Sequence, residues 1–407
     1  MNKLFYVFLF FAFTVSGQQR TQYYPSQMDN NSEIKHVVVA YDPTKWCGVP
    51  ANCGGNGPSW QWGDELLAGY VCGNAQFEKK AHQIDLNDLD SHRGNLARSK
   101  DGGATWETWV PEHGYTQAKD NLAEKAKSVP EEIDFSSPGF VMQVASSIAS
   151  GGSGTAWFCS LDKGASWRGP FTFGSLADHP ELANTEFTPR TAYLVSSPRE
   201  CLVFLSVRKK EGEKLGQMQL SATDKVFLAR TTDGGKSFEF VSWIVSFKDP
   251  YRAVMPAPVR ISSDKLVTAI RRRNLRKDIY DDICWIDCYE SLDNGRTWAL
   301  ISKVCETGLE NGNPPAMIQL ADGRLGCVYA DRSRLLLLAK YSKDEGKTWG
   351  DEQVLRGDYK SRNGYPADSG YPRLFQRPDG KLVTVYFWCT PERPETHIEA
   401  TIFSAPD

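Results

Sequence analysis

The sequence predicts an all-β fold, a six-bladed β-propeller of four-stranded antiparallel blades, and three observations carry that expectation. An eight-residue stretch is written five times: SKDGGATW at 99, SLDKGASW at 160, TTDGGKSF at 231, SLDNGRTW at 291 and SKDEGKTW at 342. Pro-led apolar segments recur in step with it: PSWQW at 58, PGFVMQV at 138, PRTAYLV at 189, PAPVRI at 256, PPAMIQL at 314 and YPRLFQ at 371. Between the two lie short runs rich in Val, Ile, Tyr and Trp, closed by Asp-Gly and similar turns, the signature of antiparallel strands. Each unit is too small to bury its own faces, and six of them side by side make a ring of sheets.

Within a unit the order is constant. The Pro-led segment supplies the first strand, and a turn such as ADGR or RPDG leads to a second, read in LVFLSVR at 202, LVTAIRRR at 266, LGCVYADR at 325 and LVTVYFW at 382. A third strand runs into the repeated turn, as in CWIDCYESLDNG at 284. The Trp or Phe that closes the turn opens the fourth strand. In the turn itself the Asp carboxylate accepts backbone N–H groups, Gly takes a positive φ, and the Ser or Thr hydroxyl adds a local bond. The five Asp residues are spread around the ring, so they are read as staples and not as catalytic carboxylates. The sixth unit lacks the turn and ends in HIEATIFS, while HVVVAY stands alone ahead of the first unit. Residues 36–41 are therefore expected to form the outer strand of the last blade, closing a single domain over 36–407 and removing the open edges that sheets must otherwise protect. QAKDNLAEKAKSV, within 111–137, is read as a short amphipathic helix.

Composition narrows the partners. A formal charge of −3 over 407 residues offers no basic footprint for nucleic acid. The opening MNKLFYVFLFFAFTVSGQQR has the layout of a secretory signal peptide over 1–17, followed by an extension over 18–35. Its apolar run is shorter than a membrane span, which needs roughly 20 residues, and no second one follows. The mature chain is thus expected to be secreted or periplasmic, with no membrane span. Ten cysteines in an exported chain permit disulfides. Cys47 and Cys53 flank a Gly/Pro/Asn-rich loop and can pair locally. Cys284 and Cys288 share a strand face, too far apart to bond. No second Cys/His pair accompanies them, so no metal and no cofactor is expected.

Five copies of S/T-x-D-x-G-x-S/T-W/F on six units resemble the sialidase superfamily, whose members carry these Asp boxes, also called bacterial neuraminidase repeats. The likeness covers nearly the whole mature chain. It implies a site on the ring axis, on the face opposite the repeated turns. There, three Arg would hold a substrate carboxylate, a Tyr with a Glu beside it would act as nucleophile, and an Asp from an early loop would act as acid/base. Arg suits the first task because its planar fork binds carboxylate bidentately. Tyr is a recognised exception to the two-carboxylate scheme of glycosidases.

Carried over by position, SGYPRL at 369 makes Tyr371 the nucleophile candidate, with Arg373 two residues on. Arg273 and Arg332 fall at the same offset on their second strands, and Arg190 sits near the start of the third first-strand. Arg271, Arg272 and Arg273 cannot all face the axis, because neighbours on a strand point apart. KKAHQIDLNDLDSHRGN offers Asp85 as acid/base, with His82 three residues before it. Glu186 is the nearest stand-in for the family's Glu, since the middle units read MPAPVRI and NPPAMIQL there. The first unit opens GNGPSWQWGDELLAGY, without the Arg of the family pattern, and its Trp60 is a candidate to stack on a sugar ring. The expectation is an exo-acting glycoside hydrolase that removes a terminal acidic or decorated sugar from an oligosaccharide or polysaccharide. A lyase acting on uronic-acid linkages and a non-catalytic glycan-binding propeller are the alternatives.

Overall fold

The computed structural model of the chain describes residues 34–48, 60–78, 83–85, 87–111, 122–146, 155–210, 224–274, 283–308, 312–365 and 368–406. The expected signal peptide and most of the extension after it lie outside them. Six antiparallel sheets make up the fold, a six-bladed β-propeller with almost no helix. QAKDNLAEKAKSV contributes a four-residue helix, Leu122–Lys125, among its described residues.

Blade three runs Thr185–Val195, Cys201–Lys209, Lys225–Thr231 and Glu239–Val245, each strand paired with the next. Blade four repeats the order with Arg252–Arg260, Leu266–Arg273, Cys284–Ser291 and Ala299–Gly308, and blade five with Ala316–Gln319, Leu325–Asp331, Leu336–Ser342 and Gln353–Arg356. Blade six takes Gly370–Gln376, Leu382–Trp388 and His397–Phe403 from the end of the chain, and Lys35–Ala40 pairs with His397–Phe403 as its outermost strand. Two blades depart from four strands. In blade one both Lys45–Gly48 and Trp60–Trp62 pair with Glu65–Asn74, ahead of Arg93–Ser99 and Glu107–Trp109, which makes five. Blade two has three among the described residues, Val141–Ala145, Ala156–Ser160 and Arg168–Phe171, and Lys127 adds a parallel bridge to its outer strand at Phe171.

The core lies between blades because the inner strands of each blade have two buried faces. Val203 and Leu205 pack against blade two with Met142 and Trp157. Their neighbours Leu202 and Phe204 point the other way, against blade four with Leu266 and Ile270. Alternation along each strand thus feeds two interfaces at once, which is why these strands read as continuous apolar runs. Six apolar clusters result, one for each pair of adjacent blades, and the cluster between blades six and one closes the ring through Val39, Phe375, Val385, Leu66 and Tyr70.

The repeated turn is built alike in all five places. In the first, Asp101 Oδ1 accepts from the Thr105 amide at 2.8 Å, Asp101 Oδ2 accepts from the Thr105 hydroxyl at 2.6 Å, and the Ser99 hydroxyl receives the Gly103 amide at 2.7 Å. Asp162, Asp233, Asp293 and Asp344 accept from the Ser or Thr four residues on in the same manner. The aromatic ring that follows packs into the interface with the preceding blade: Trp106, Trp167, Phe238, Trp298 and Trp349 each join a different cluster. These turns join third to fourth strands. The starts of first strands and the ends of second strands therefore lie at the opposite end of the ring.

One disulfide joins Cys47 to Cys72, not to Cys53, which lies outside the described residues. The reason is register. Cys47 and Cys72 face each other directly on paired antiparallel strands, with Cα atoms 4.2 Å apart. Cys284 and Cys288 lie buried on one strand and are not bonded to each other.

Candidate active site

Tyr371 opens the innermost strand of blade six in an unusual conformation. Its φ is +53°, and the Gly370 before it has φ +97°. A bulky residue at positive φ is a genuine outlier, and such a conformation costs on the order of 1–3 kcal/mol. The strand departs from regular pairing between Gly370 and Arg373, where Pro372 has no N–H to give. The alternation that would place Tyr371 and Arg373 on one side does not run across this break. Blade four carries the same device: Met255 has φ +60°, is followed by Pro256, and lies where the register between Val254 and Pro256 shifts.

The Tyr371 ring is 8% exposed and lies against Phe387. Its hydroxyl oxygen is 3.1 Å from Arg271 Nη1, which also approaches Met255 Sδ at 3.5 Å. Two guanidinium groups flank the ring, those of Arg332 and Arg271 at 5.6 and 5.9 Å from its centroid. Burial pulls Arg271 down to about 10, partly offset by the Tyr371 phenol, with Arg252 and Arg332 also acting to lower it. It stays charged at neutral pH. At neutral pH a positive charge thus stands beside the phenol oxygen.

Around this pair lies a belt of charge drawn from several blades. Asp224, fully buried, accepts from Arg252 Nε and Nη2 at 2.9 and 2.6 Å and lies 3.6 Å from Arg190 Nη1. Arg190 leaves about a quarter of its side chain open, 24%, against 5% for Arg252 and 9% for Arg208. Glu186 and Arg208, cross-strand partners on blade three, form an ion pair. Arg272 points the other way along its strand, to Asp249 Oδ1 at 2.6 Å and to the Tyr289 hydroxyl. Of the three consecutive arginines it is therefore Arg271 that meets Tyr371, while Arg273 is half-buried at the strand end opposite Arg252 and Cys284.

Several expected roles look different in the fold. Arg332 is 1% exposed and spends its N–H groups on backbone, with Nη1 on Gly312 O at 2.7 Å and Nη2 on Ser369 O at 2.9 Å. Arg373 is also buried and donates to Pro372 O. Trp60 has no open face for a sugar. Its ring is buried between blades one and two against Trp167, and its Nε1 donates to the Tyr193 hydroxyl at 3.0 Å. Trp60 lies next to the hairpin that joins first to second strand, whose Asp64 O accepts from Gly102 of a repeated turn, so it belongs to the end of the ring away from Tyr371. Asp85 is half-buried and accepts from the Asn87 amide at 2.9 Å. His82 lies outside the described residues. Its neighbour Gln83 donates its amide to Asp368 Oδ2 at 3.3 Å, which ties the early loop to a point three residues ahead of Tyr371.

Sequence reasoning missed Arg252, Asp224 and Asn313. Asn313 gave the clearest signal, as a polar residue directly before a Pro-led strand. Asp224 and Arg252 gave none, because their pairing spans 28 residues and two blades. Among the described residues no group of three or more His, Cys, Asp and Glu side chains converges as a metal site would, and no helix is long and apolar enough to cross a membrane.

A family profile described as BNR repeat-like domain matches residues 140–384, more than half of the chain. The chain belongs to that family. No curated protein matches it. Among solved structures, a protein of unknown function from Dyadobacter fermentans is 16% identical, covers 92% of this chain and 100% of its own, and superposes with a TM-score of 0.61. A Hadza microbial sialidase is 14% identical over 88% of this chain and 66% of its own, with a TM-score of 0.55. An α-L-arabinanase from Penicillium chrysogenum, solved with arabinobiose, is 13% identical over 92% and 98%, with a TM-score of 0.53. At these identities the likeness is one of fold: this BNR repeat-like protein has a sialidase-like propeller, and its chemistry has to be argued from its own side chains.

Proposed function

We propose that this propeller is an exported glycoside hydrolase that removes a terminal acidic or decorated sugar from a glycan, with Tyr371 as nucleophile. The observation that carries the reading is the meeting of the Tyr371 hydroxyl with Arg271 across two blades, at 3.1 Å, on a backbone held at positive φ. Strained conformations of this kind cluster at active sites. The fold neighbours include a sialidase and an arabinanase, both of which act on glycosidic bonds, and the arabinanase holds arabinobiose.

In the proposed reaction Tyr371 releases its phenol proton to solvent and its Oη forms a bond to the anomeric carbon as the glycosidic bond breaks. A proton passes to the leaving oxygen from the early loop that carries His82 and Asp85; water then attacks the anomeric carbon and returns a proton to that loop, the bond from the sugar to Tyr371 Oη breaks, and the phenolate regains its proton from solvent. Arg271 stabilises negative charge on the phenol oxygen at each end of the cycle. Arg190, whose side chain is more open than those of Arg252 and Arg208, meets the anionic group of the sugar. Arg332 and Arg373 are too buried for that task in this arrangement, which leaves Arg190 and the half-buried Arg273 as the substrate-facing pair. The Cys47–Cys72 disulfide supports export, because such bonds persist in oxidising compartments.

Incubation of the purified protein with a panel of acidic and neutral oligosaccharides, read by product mass, tests this directly. Products that together gain one water support hydrolysis. An unsaturated product absorbing in the near ultraviolet identifies a lyase, and glycans bound but recovered intact identify a binder. Tyr371→Phe is expected to abolish turnover with a thermal midpoint close to the parent's, since one hydrogen bond is worth about 1 kcal/mol. Full retained turnover in that variant refutes the nucleophile.

A further inference from the structure

We infer that Asn313 is a positioning residue: through one fully buried amide, and with Arg332 behind it, it holds residues 369–371 in the left-handed kink that aims the Tyr371 phenol at Arg271. The inference rests on the proposed role of Tyr371 for its effect on turnover, but not for its effect on the backbone.

The geometry is that of a clamp. Asn313 Oδ1 accepts the Tyr371 amide at 3.0 Å, and Asn313 Nδ2 donates to Ser369 O at 3.0 Å, so a single side chain satisfies the two backbone groups that bracket Gly370. Gly370 has φ +97°, and a Cβ added there would fall 2.2 Å from Asn313 Nδ2. The amide therefore fills the space that any other residue at 370 would claim. Glycine and amide fit as one unit.

Arg332 closes the arrangement from below. Its Nη2 and Nε reach Ser369 O at 2.9 and 3.3 Å, and its Nη1 reaches Gly312 O at 2.7 Å, directly beside Asn313. One guanidinium thus joins the connection leading into blade five to the connection leading into blade six. Its carbon also stands 5.6 Å from the centre of the Tyr371 ring. Both side chains are buried, Asn313 at 0% and Arg332 at 1% exposure. A group so enclosed touches no substrate. Its influence on chemistry passes through Tyr371.

Two variants separate this from general support of the fold. Asn313→Leu keeps the branched heavy-atom skeleton, in a somewhat larger side chain, and removes both bonds. Asn313→Asp keeps the oxygen that accepts the Tyr371 amide, and its second oxygen, when protonated, donates to Ser369 O, which Arg332 also holds. With carbon-13 label in tyrosine, the Tyr371 backbone shifts report its φ without reference to activity. The expected result is that Asn313→Leu moves those shifts toward the extended range and lowers kcat about 10- to 100-fold with KM nearly unchanged, as small misplacements of a reacting group do, while Asn313→Asp recovers most of both. In a Tyr371→Phe background Asn313→Leu should cost nothing further. Unchanged Tyr371 shifts in Asn313→Leu overturn the clamp. Shifts that move with kcat unchanged, in a protein that Tyr371→Phe inactivates, overturn its bearing on chemistry. If Tyr371→Phe stays active, the proposed function falls and the shifts alone still decide the clamp. Should Asn313→Leu not fold, Gly370→Ala drives the same wedge between 370 and Asn313 and is read in the same way.

Discussion

Asp224 balances two guanidinium groups at once, and that makes it the side chain in the axial belt whose loss the fold should feel most. It is fully buried and Arg252 is 5% exposed, so removing the carboxylate strands a charge in low dielectric. Asp224→Ala is expected to cost about 3–5 kcal/mol in denaturant titration, the range for breaking one partner of a buried pair. A loss under about 1 kcal/mol, typical of exposed pairs, would mean that water reaches Arg252. The same belt shows how far single residues were legible. Tyr371 stood out because SGYPRL resembles a known segment. The choice among Arg271, Arg272 and Arg273 did not, since alternation admits two of the three and only the position of blade six relative to blade four selects Arg271.

The repeated turn was readable almost in full, because its bonds are local. Asp344 accepts from the Thr348 hydroxyl and amide, and these bonds, led by the hydroxyl, hold its carboxyl down at about 2 against an ordinary 3.8. The sign follows from linkage: the unfolded chain takes up the proton first, so the stabilisation is complete above pH 3.8 and is lost as pH falls through about 2. Urea midpoints measured down this range should converge for the parent and Asp344→Asn. A constant gap between them would show that the carboxylate charge is irrelevant. Inner strands were less readable. Their Pro-led segments announced themselves, but no local pattern encodes the kinks at Met255 and Tyr371, and the one at Tyr371 depends on the Asn313 amide across from it.

In the ring as a whole the first and the last described strands share one blade, and a disulfide lies in the blade beside it. Cys47 and Cys72 are 25 residues apart, and by the loop-entropy relation their bond is worth about 3.5 kcal/mol. Reduction, or Cys72→Ser, should lower the denaturant-extrapolated stability by about that amount while the far-ultraviolet spectrum of the folded state stays as it was. A change near zero would mean that the unfolded chain already keeps these strands together. Cys53, nearer in sequence and flanking the same loop, is not the partner. Strand register outweighed proximity along the chain.

By itself the sequence determined the architecture: the turn written five times, the Pro-led strands and the apolar runs between them require six sheets, because the apolar runs carry two apolar faces that only a neighbour on either side can cover. The tertiary structure alone decided the site. Which guanidinium meets Tyr371, which carboxylate balances Arg252 and Arg190 beside it, and which amide holds the Tyr371 backbone are set by contacts between blades up to 100 residues apart, and the geometry of such contacts is fixed only once the ring has closed.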